Sequence, residues 1–383
     1  MKILYHHRTK SRDGQFVHIS EMQAAFARAE HPLHEVAPGS GGDAVDFGSE
    51  AKGLSLMSRV VPDALREVME WGYNAVSYTA LRNAVHEFSP DFIYERYALG
   101  NVAGVLTAKR FGLPLLLEVN APLAWERNQF GGLTFPRAAQ RLETWILNQA
   151  DRILAVTEVL KAMLVDAGAD ADRVDVIHNG IDPARFNRGH STEKAKKALG
   201  LQDRVVLGFT GFCRDWHGLD RVVRLLAEDD AALRDAHLLI VGDGPACPGL
   251  RELAVELGVD DRLTITGIVQ REDLIPNIAA FDVALQPDVT AYASPLKLFE
   301  YMALAKAIVA PDVPNIRELV AHEQSAILFE LSEERGFADA IRGVLADPEL
   351  RTRVGGGAAD VIEQTPYTWD HNAHRVVEIA RSL

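Results

Sequence analysis

Short apolar runs alternate along this chain with longer stretches in which apolar positions recur every three or four residues. Lys2 to His6, Asp91 to Tyr94, Pro114 to Val119, Arg152 to Val156 and Val174 to Ile177 read as strands of a first domain. Arg204 to Phe209, His237 to Val241, Arg262 to Thr266, Phe281 to Gln286, Ala307 to Ala310 and Ala326 to Phe329 read as strands of a second. Strands that are apolar throughout, separated by helical patterns, imply parallel sheets covered by helices on both faces. The fold class expected is therefore α/β, with two doubly wound domains.

The length agrees: 383 residues, 48% of them hydrophobic, exceed what one core usually holds. The boundary is expected near His178-Asn-Gly-Ile-Asp182, where an Asn-Gly turn follows a strand and Pro183 follows the turn. Residues 1–183 and 184–367 are the expected domains. A last helix, about 368–383, introduced by Tyr367-Thr-Trp-Asp370, is expected to cross back to the first. The only segment near low complexity is Gly39-Ser-Gly-Gly42, a loop. In doubly wound folds the ligand lies at the carboxyl ends of the strands, so a cleft faced by both domains is the expected site.

Charge narrows the partners. The formal net charge of -14 is uneven, with 20 Lys and Arg against 23 Asp and Glu in residues 1–190 and 20 against 31 beyond. No broad basic face suits a nucleic acid, and an anionic ligand must be held by local cations. Two cysteines, Cys213 and Cys247, make neither a disulfide framework nor a zinc spacing, and both are expected reduced. The opening Met1-Lys-Ile-Leu-Tyr runs directly into His6-His7-Arg8, without the apolar core of a signal peptide, so a cytoplasmic protein is expected.

Candidate chemistry centres on Ser294-Pro-Leu-Lys-Leu-Phe-Glu-Tyr-Met-Ala303. Ser294 is a natural N-cap and Pro295 suits the first helical position, which would aim free N-H groups at an anion. Lys297 falls in the first turn and Glu300 three residues later on the same face. The alternative is an ordinary capped helix with a solvated Lys/Glu pair. Upstream, Thr210-Gly-Phe-Cys-Arg-Asp-Trp-His-Gly-Leu-Asp220 opens a helix after a strand. Gly211 there lets backbone approach a phosphate, and Arg214 offers a two-pronged contact.

Together with Ile240-Val-Gly-Asp-Gly-Pro245, Leu263-Thr-Ile-Thr-Gly267 and Asp312-Val-Pro-Asn-Ile-Arg-Glu318, these segments resemble, in order and spacing, the donor-binding half of a family-4 retaining glycosyltransferase of GT-B fold. The resemblance runs from about Lys2 to the C-terminus and is strongest from Val174 to Val320. It implies two Rossmann-like domains and transfer, with retention, from a nucleotide-diphosphate sugar to an acceptor hydroxyl in polysaccharide, glycolipid or glycoconjugate synthesis. No cofactor is expected beyond that co-substrate, and no metal, since no Asp-X-Asp pair stands in a convincing loop. The alternatives are a non-catalytic nucleotide-sugar-binding protein, or a sugar-nucleotide epimerase or phosphorylase of the same architecture.

The resemblance places Arg214, Lys297 and Glu300 at the reaction centre, with Glu300 accepting from the ribose hydroxyls. It implies Gly14, Gly211, Phe212, His217, Gly242, Asp243, Val269, Ser294, Pro295 and Leu298 as donor-binding positions. The chain also departs from the pattern. Phe212 stands where an arginine is usual and His217 where a lysine is usual, with protonated His217 a stand-in for that lysine and a helix-capping His217 the alternative. Tyr292 replaces the first of two glutamates, and Asn120 stands near the usual histidine. Trp216 would either stack on ligand or fill an interface.

In the first domain, Asp13-Gly-Gln-Phe-Val-His18 occupies the place of a glycine-rich loop, of which only Gly14 remains, ahead of a helix from Ile19. His18, Glu118 and Asn120 are acceptor-side candidates, with Glu95, Arg96 and Glu118 alternatively forming a structural network. Trp125 to Arg141, including Arg127, Phe130, Phe135 and Arg137, would form an acceptor loop or a peripheral contact with a membrane face.

Overall fold

A computed structural model describes residues 1–9, 14–38, 63–129, 131–333 and 335–383. The chain divides into two compact units. The first comprises Met1–Asn179, Tyr292–Ser294 and Trp369–Leu383; the second comprises Gly180–Ala291 and Pro295–Thr368.

The first unit holds a six-stranded sheet, β1 (Ile3–His6), β2 (Leu33–Val36), β3 (Phe92–Arg96), β4 (Leu115–Val119), β5 (Arg152–Ala155) and β6 (Val174–Val176), in the order β2-β1-β3-β4-β5-β6. Every pairing is parallel. β1, β3 and β4 are buried along their whole length, which is why each reads as an apolar run interrupted only by residues with partners inside. β2 is the strand the sequence reading lacks. It lies at the sheet edge, its Leu-His-Glu-Val is buried only at Val36, and so it leaves no apolar run to find. The helix Trp369–Arg381 packs on the helix Gly14–Arg28 within this unit.

The second unit repeats the plan with β7 (Val205–Thr210), β8 (Ala236–Val241), β9 (Leu263–Ile265), β10 (Val283–Leu285), β11 (Ala307–Pro311) and β12 (Ile327–Phe329), in the order β12-β11-β10-β7-β8-β9. This sheet is also all parallel. Gly208 within β7 has a packing reason: a Cβ there would sit 2.0 Å from the ring of Phe281.

Both sheets have a switch point where strand order reverses, between β1 and β3 in the first and between β7 and β10 in the second. Ligands of open α/β sheets bind in the crevice outside the carboxyl ends of such strands. The residues that matter are therefore those just after β1, β3, β7 and β10. No described helix is long and apolar enough to cross a membrane.

Candidate functional site

In the second unit, the loop leaving β7 is zipped to the loop leaving β8. Gly211 donates its N-H to the Val241 carbonyl at 3.0 Å, and Cys213 donates to the Asp243 carbonyl at 2.8 Å. The two backbones approach so closely that a Cβ on Gly242 would sit 2.2 Å from the Gly211 carbonyl oxygen, and one on Gly244 2.1 Å from that of Cys213. Gly211 itself holds φ +117°, a conformation that side chains rarely adopt. These glycines therefore serve backbone contact as much as any ligand. Asp243 folds onto its neighbour, accepting from Gly244 N-H at 2.8 Å. The β9 loop joins them through Thr266, whose hydroxyl accepts from Gly242 N-H at 3.2 Å; Val269 beyond it is half-buried against the core.

The helix Leu296–Ala303 is locked to the same loop by Tyr301, whose hydroxyl accepts from the Thr210 N-H at 2.9 Å. One turn earlier Lys297 places its Nζ 3.8 Å from the Phe209 ring centroid, a cation–π contact, and within ordinary contact of the Gly211 Cβ position. Among the described residues no carboxylate pairs with this ammonium. Burial pulls the Lys297 pKa down from 10.5 to about 7, with the nearby Glu300 opposing. Glu300 is half-exposed on the next turn. Leu298 is in the core, and its N-H is already given to the Pro295 carbonyl at 3.0 Å.

Phe212, Arg214 and Trp216 are exposed on the loop, with the Arg214 guanidinium 5.2 Å from the Phe212 ring centroid. His217 is buried between them. Its Nδ1 lies 3.0 Å from the Arg214 N and 3.2 Å from the Arg214 carbonyl oxygen, which closes the ring onto its own turn. Trp216 stacks on it at 3.9 Å and Phe209 meets it edge-on at 4.9 Å. Burial and then the charge of Lys297 push the His217 pKa down to about 3. The expectation of a protonated His217 in place of a lysine is thus corrected: near neutrality it is a neutral ring capping its own turn.

A second correction concerns the helix start. Pro295 occupies the cap position with φ -71° and ψ 116°, the helix begins at Leu296, and no side chain caps it. Ser294 is not the N-cap. Asn179 holds its carbonyl at 2.7 Å and Thr157 holds that of Tyr292 at 2.9 Å, which keeps the chain extended one residue further than its composition suggests. The Ser294 hydroxyl is buried without a hydrogen-bond partner. Tyr292, in the place of the expected glutamate, packs in the first unit's core, edge-on to Trp125 at 6.2 Å.

The acceptor-side candidates form a closed network. Glu118 is buried and receives hydrogen bonds from Arg96, from Asn120 and from the Tyr94 hydroxyl, the last at 2.6 Å. Burial opposes its ionisation, but His18, Arg96 and these hydrogen bonds outweigh that and lower its pKa. His18 accepts from Arg96 at 3.3 Å and meets Trp369 edge-on at 5.0 Å; burial, against Glu118, pushes its pKa down to about 4. Gly14 is the exposed first residue of the helix Gly14–Arg28 rather than part of a loop, because the helix starts five residues earlier than Ile19. Asp13, Gly39 to Gly42 and Phe130 lie outside the described residues. Arg127 is tied to Glu70 at 2.9 Å, while Trp125, Phe135, Arg137 and Arg141 are exposed. No cluster of His, Cys, Asp and Glu suited to a metal exists among the described residues.

A Glycosyltransferase Family 4 model matches residues 12–185, and a model described as Glycosyl transferases group 1 matches residues 204–347. The D-inositol 3-phosphate glycosyltransferase of Saccharomonospora viridis is 28% identical, with 97% of this chain and 90% of the relative covered. The protein of the same name from Geodermatophilus obscurus is 34% identical over 68% of this chain and 60% of its own length. Among solved structures, Anabaena HepE in complex with UDP aligns over 100% of both chains with a TM-score of 0.76 at 18% identity. Sucrose-phosphate synthase from Thermosynechococcus elongatus aligns over 100% and 99% with a TM-score of 0.77 at 17% identity. These likenesses establish the GT-B fold, two Rossmann-like domains.

Proposed function

Because this chain belongs to the family-4, group 1 glycosyltransferases, we propose that it moves a sugar, with retention, from a nucleoside-diphosphate sugar held by its second unit to a hydroxyl of its acceptor. The observation that carries the donor assignment is Lys297: a partly buried ammonium with no carboxylate ion-paired to it among the described residues, its pKa pulled down to about 7 against the charge of Glu300, beside the backbone of Gly211. An enclosed cation left uncompensated is costly, and a diphosphate would supply the missing charge.

In this reading Lys297 and Arg214 bear on the phosphate oxygens, where negative charge grows as the glycosidic bond breaks. His217 contributes a neutral ring rather than a charge, and Glu300 accepts from the ribose hydroxyls. The Gly242-Asp243 turn and the backbone near Val269 border the nucleoside. The transfer needs no metal, since two side-chain cations already answer the diphosphate charge; strict loss of turnover in EDTA, restored by magnesium or manganese, would count against this. The relatives' name suggests a polyol acceptor, an inositol phosphate, for this chain as well.

The test is calorimetric titration of the purified protein with UDP, GDP, ADP and TDP, then with the nucleotide sugars of whichever base binds. Selective binding that weakens in Lys297→Ala and Glu300→Ala supports the donor site. Unchanged affinity in both variants removes it.

A further inference from the structure

The loop leaving β7 is built to turn two particular side chains outward together. Along Gly211-Phe-Cys-Arg214 burial alternates: Phe212 and Arg214 are exposed, and Cys213 between them is fully buried. Cys213 is fixed at both ends of its backbone. It donates its N-H to the Asp243 carbonyl at 2.8 Å, and its own carbonyl accepts from the Ala246 N-H at 3.3 Å. Arg214, next along, is extended, with φ -116° and ψ 156°. Side chains two apart on an extended backbone share a face. Anchoring Cys213 in the core therefore puts the Phe212 ring and the Arg214 side chain on the same outer face.

There the two meet. The Arg214 guanidinium lies 5.2 Å from the Phe212 ring centroid, within cation–π range. Among the described residues no carboxylate forms an ion pair with it. The main chain of Arg214 is held separately by the His217 ring, which closes onto its N and its carbonyl oxygen and is itself clamped between Trp216 and Phe209. Lys297 stands at the other edge of this group. Its Nζ is 3.8 Å from the centroid of the same Phe209 ring and 3.7 Å from the Gly211 Cβ position. After burial, the charges of Lys297 and, more weakly, Arg214 both lower the His217 pKa, so the two cations bear on one place.

A loose arginine side chain loses rotamer freedom when it grips a phosphate, and that loss weakens binding. A guanidinium already resting on a ring has less freedom to lose. We propose that Phe212 is a positioning residue, whose ring pre-sets the Arg214 guanidinium for the diphosphate that Lys297 also meets; this role rests on the donor reading above. Phe212 acts through Arg214, without a contact of its own to the phosphates. The family usually carries an arginine where Phe212 stands. In this chain the cation sits two residues further on, and the ring in its former place holds it.

The experiment is a double-mutant cycle on the full chain, read by calorimetry with whichever of UDP, GDP, ADP and TDP wild type binds most tightly. Arg214→Ala should weaken binding about tenfold, as loss of a hydrogen bond to a charged group does. Phe212→Leu keeps an apolar side chain but removes the ring, and should weaken binding about two- to fivefold. Phe212→Tyr keeps the ring face and should restore wild-type affinity. In the Arg214→Ala background, Phe212→Leu should have no further effect, because the group it positions is gone. Circular dichroism melts confirm that each variant is folded. Wild-type affinity in Phe212→Leu, or the same loss with and without the Arg214 side chain, overturns the positioning role and leaves the Lys297 donor site standing. No binding of any of the four nucleotides by wild type removes the donor reading and this role with it.

Discussion

Two buried charged clusters in this molecule are built in opposite ways. In the first unit, Glu118 and Arg96 face each other with Tyr94, Asn120 and His18 around them, and the carboxylate pKa is lowered despite burial. In the second, Lys297 has an aromatic face and backbone for neighbours but, among the described residues, no ion-paired carboxylate, and burial takes its pKa down to about 7 against Glu300. A closed network stabilises the ionised forms it contains and leaves little for a ligand to do. An open one keeps a charge under strain that a ligand can relieve. On the reading proposed above, Glu118 serves mainly structure and Lys297 mainly the ligand, although sequence alone nominated both.

The contrast can be broken most decisively by removing one member of each. Glu118→Ala leaves Arg96 buried without its counter-ion and should cost about 3–5 kcal/mol in urea unfolding; a loss below about 1 kcal/mol would show that the network is not structural. Lys297→Ala should leave stability unchanged or slightly higher, while UDP affinity measured by calorimetry falls about 100-fold, or about 2.7 kcal/mol at 1.36 kcal/mol per decade. A destabilised Lys297→Ala protein with normal affinity would reverse the two assignments.

A smaller effect sharpens the comparison through pH. The folded Lys297 pKa is lowered from 10.5 to about 7, so the penalty it places on folding is fully present below about pH 7 and disappears as pH rises toward 10.5. Diphosphate binding favours the protonated form, so UDP affinity should fall as pH rises above about 7, by up to tenfold per pH unit, with proton uptake on binding. Calorimetry in buffers of different ionisation enthalpy measures that uptake, and its absence at pH 8 would disconnect Lys297 from the ligand.

The smallest effect concerns His217. With its pKa pushed down to about 3, its neutral ring contributes a cap rather than a charge, so His217→Asn should weaken UDP binding by only about 0.5–1.5 kcal/mol. The variant should keep the wild-type pH profile between 5 and 8. A profile that loses an inflection near pH 6 would mean that His217 titrates there after all.

The legibility of the site followed how local each signal was. Eleven strands could be read because most are largely buried and all carry apolar residues, whereas β2, an edge strand with His34 and Glu35 at its middle, could not. The placement of Gly211 on the loop after β7, and of Lys297 and Glu300 on one helix, could be read because their spacing along the chain is itself the geometry. The state of His217 could not be read, since it depends on Trp216, Phe209 and Lys297 closing around it. The helix start at Leu296 was equally hidden, because hydrogen bonds from Asn179 and Thr157, more than a hundred residues upstream, outweigh the local preference of Ser294 for an N-cap.

Sequence by itself determined the parallel α/β plan of the two units, the family and the loop-and-helix segments to which the donor chemistry is proposed. All of these rest on periodicity or on short-range spacing. Tertiary structure decided which charges are satisfied. Whether Glu118 is paired, Lys297 ion-paired or His217 neutral depends on what distant segments bring within about 3 Å and on how much water they exclude. No single stretch of the chain encodes either quantity.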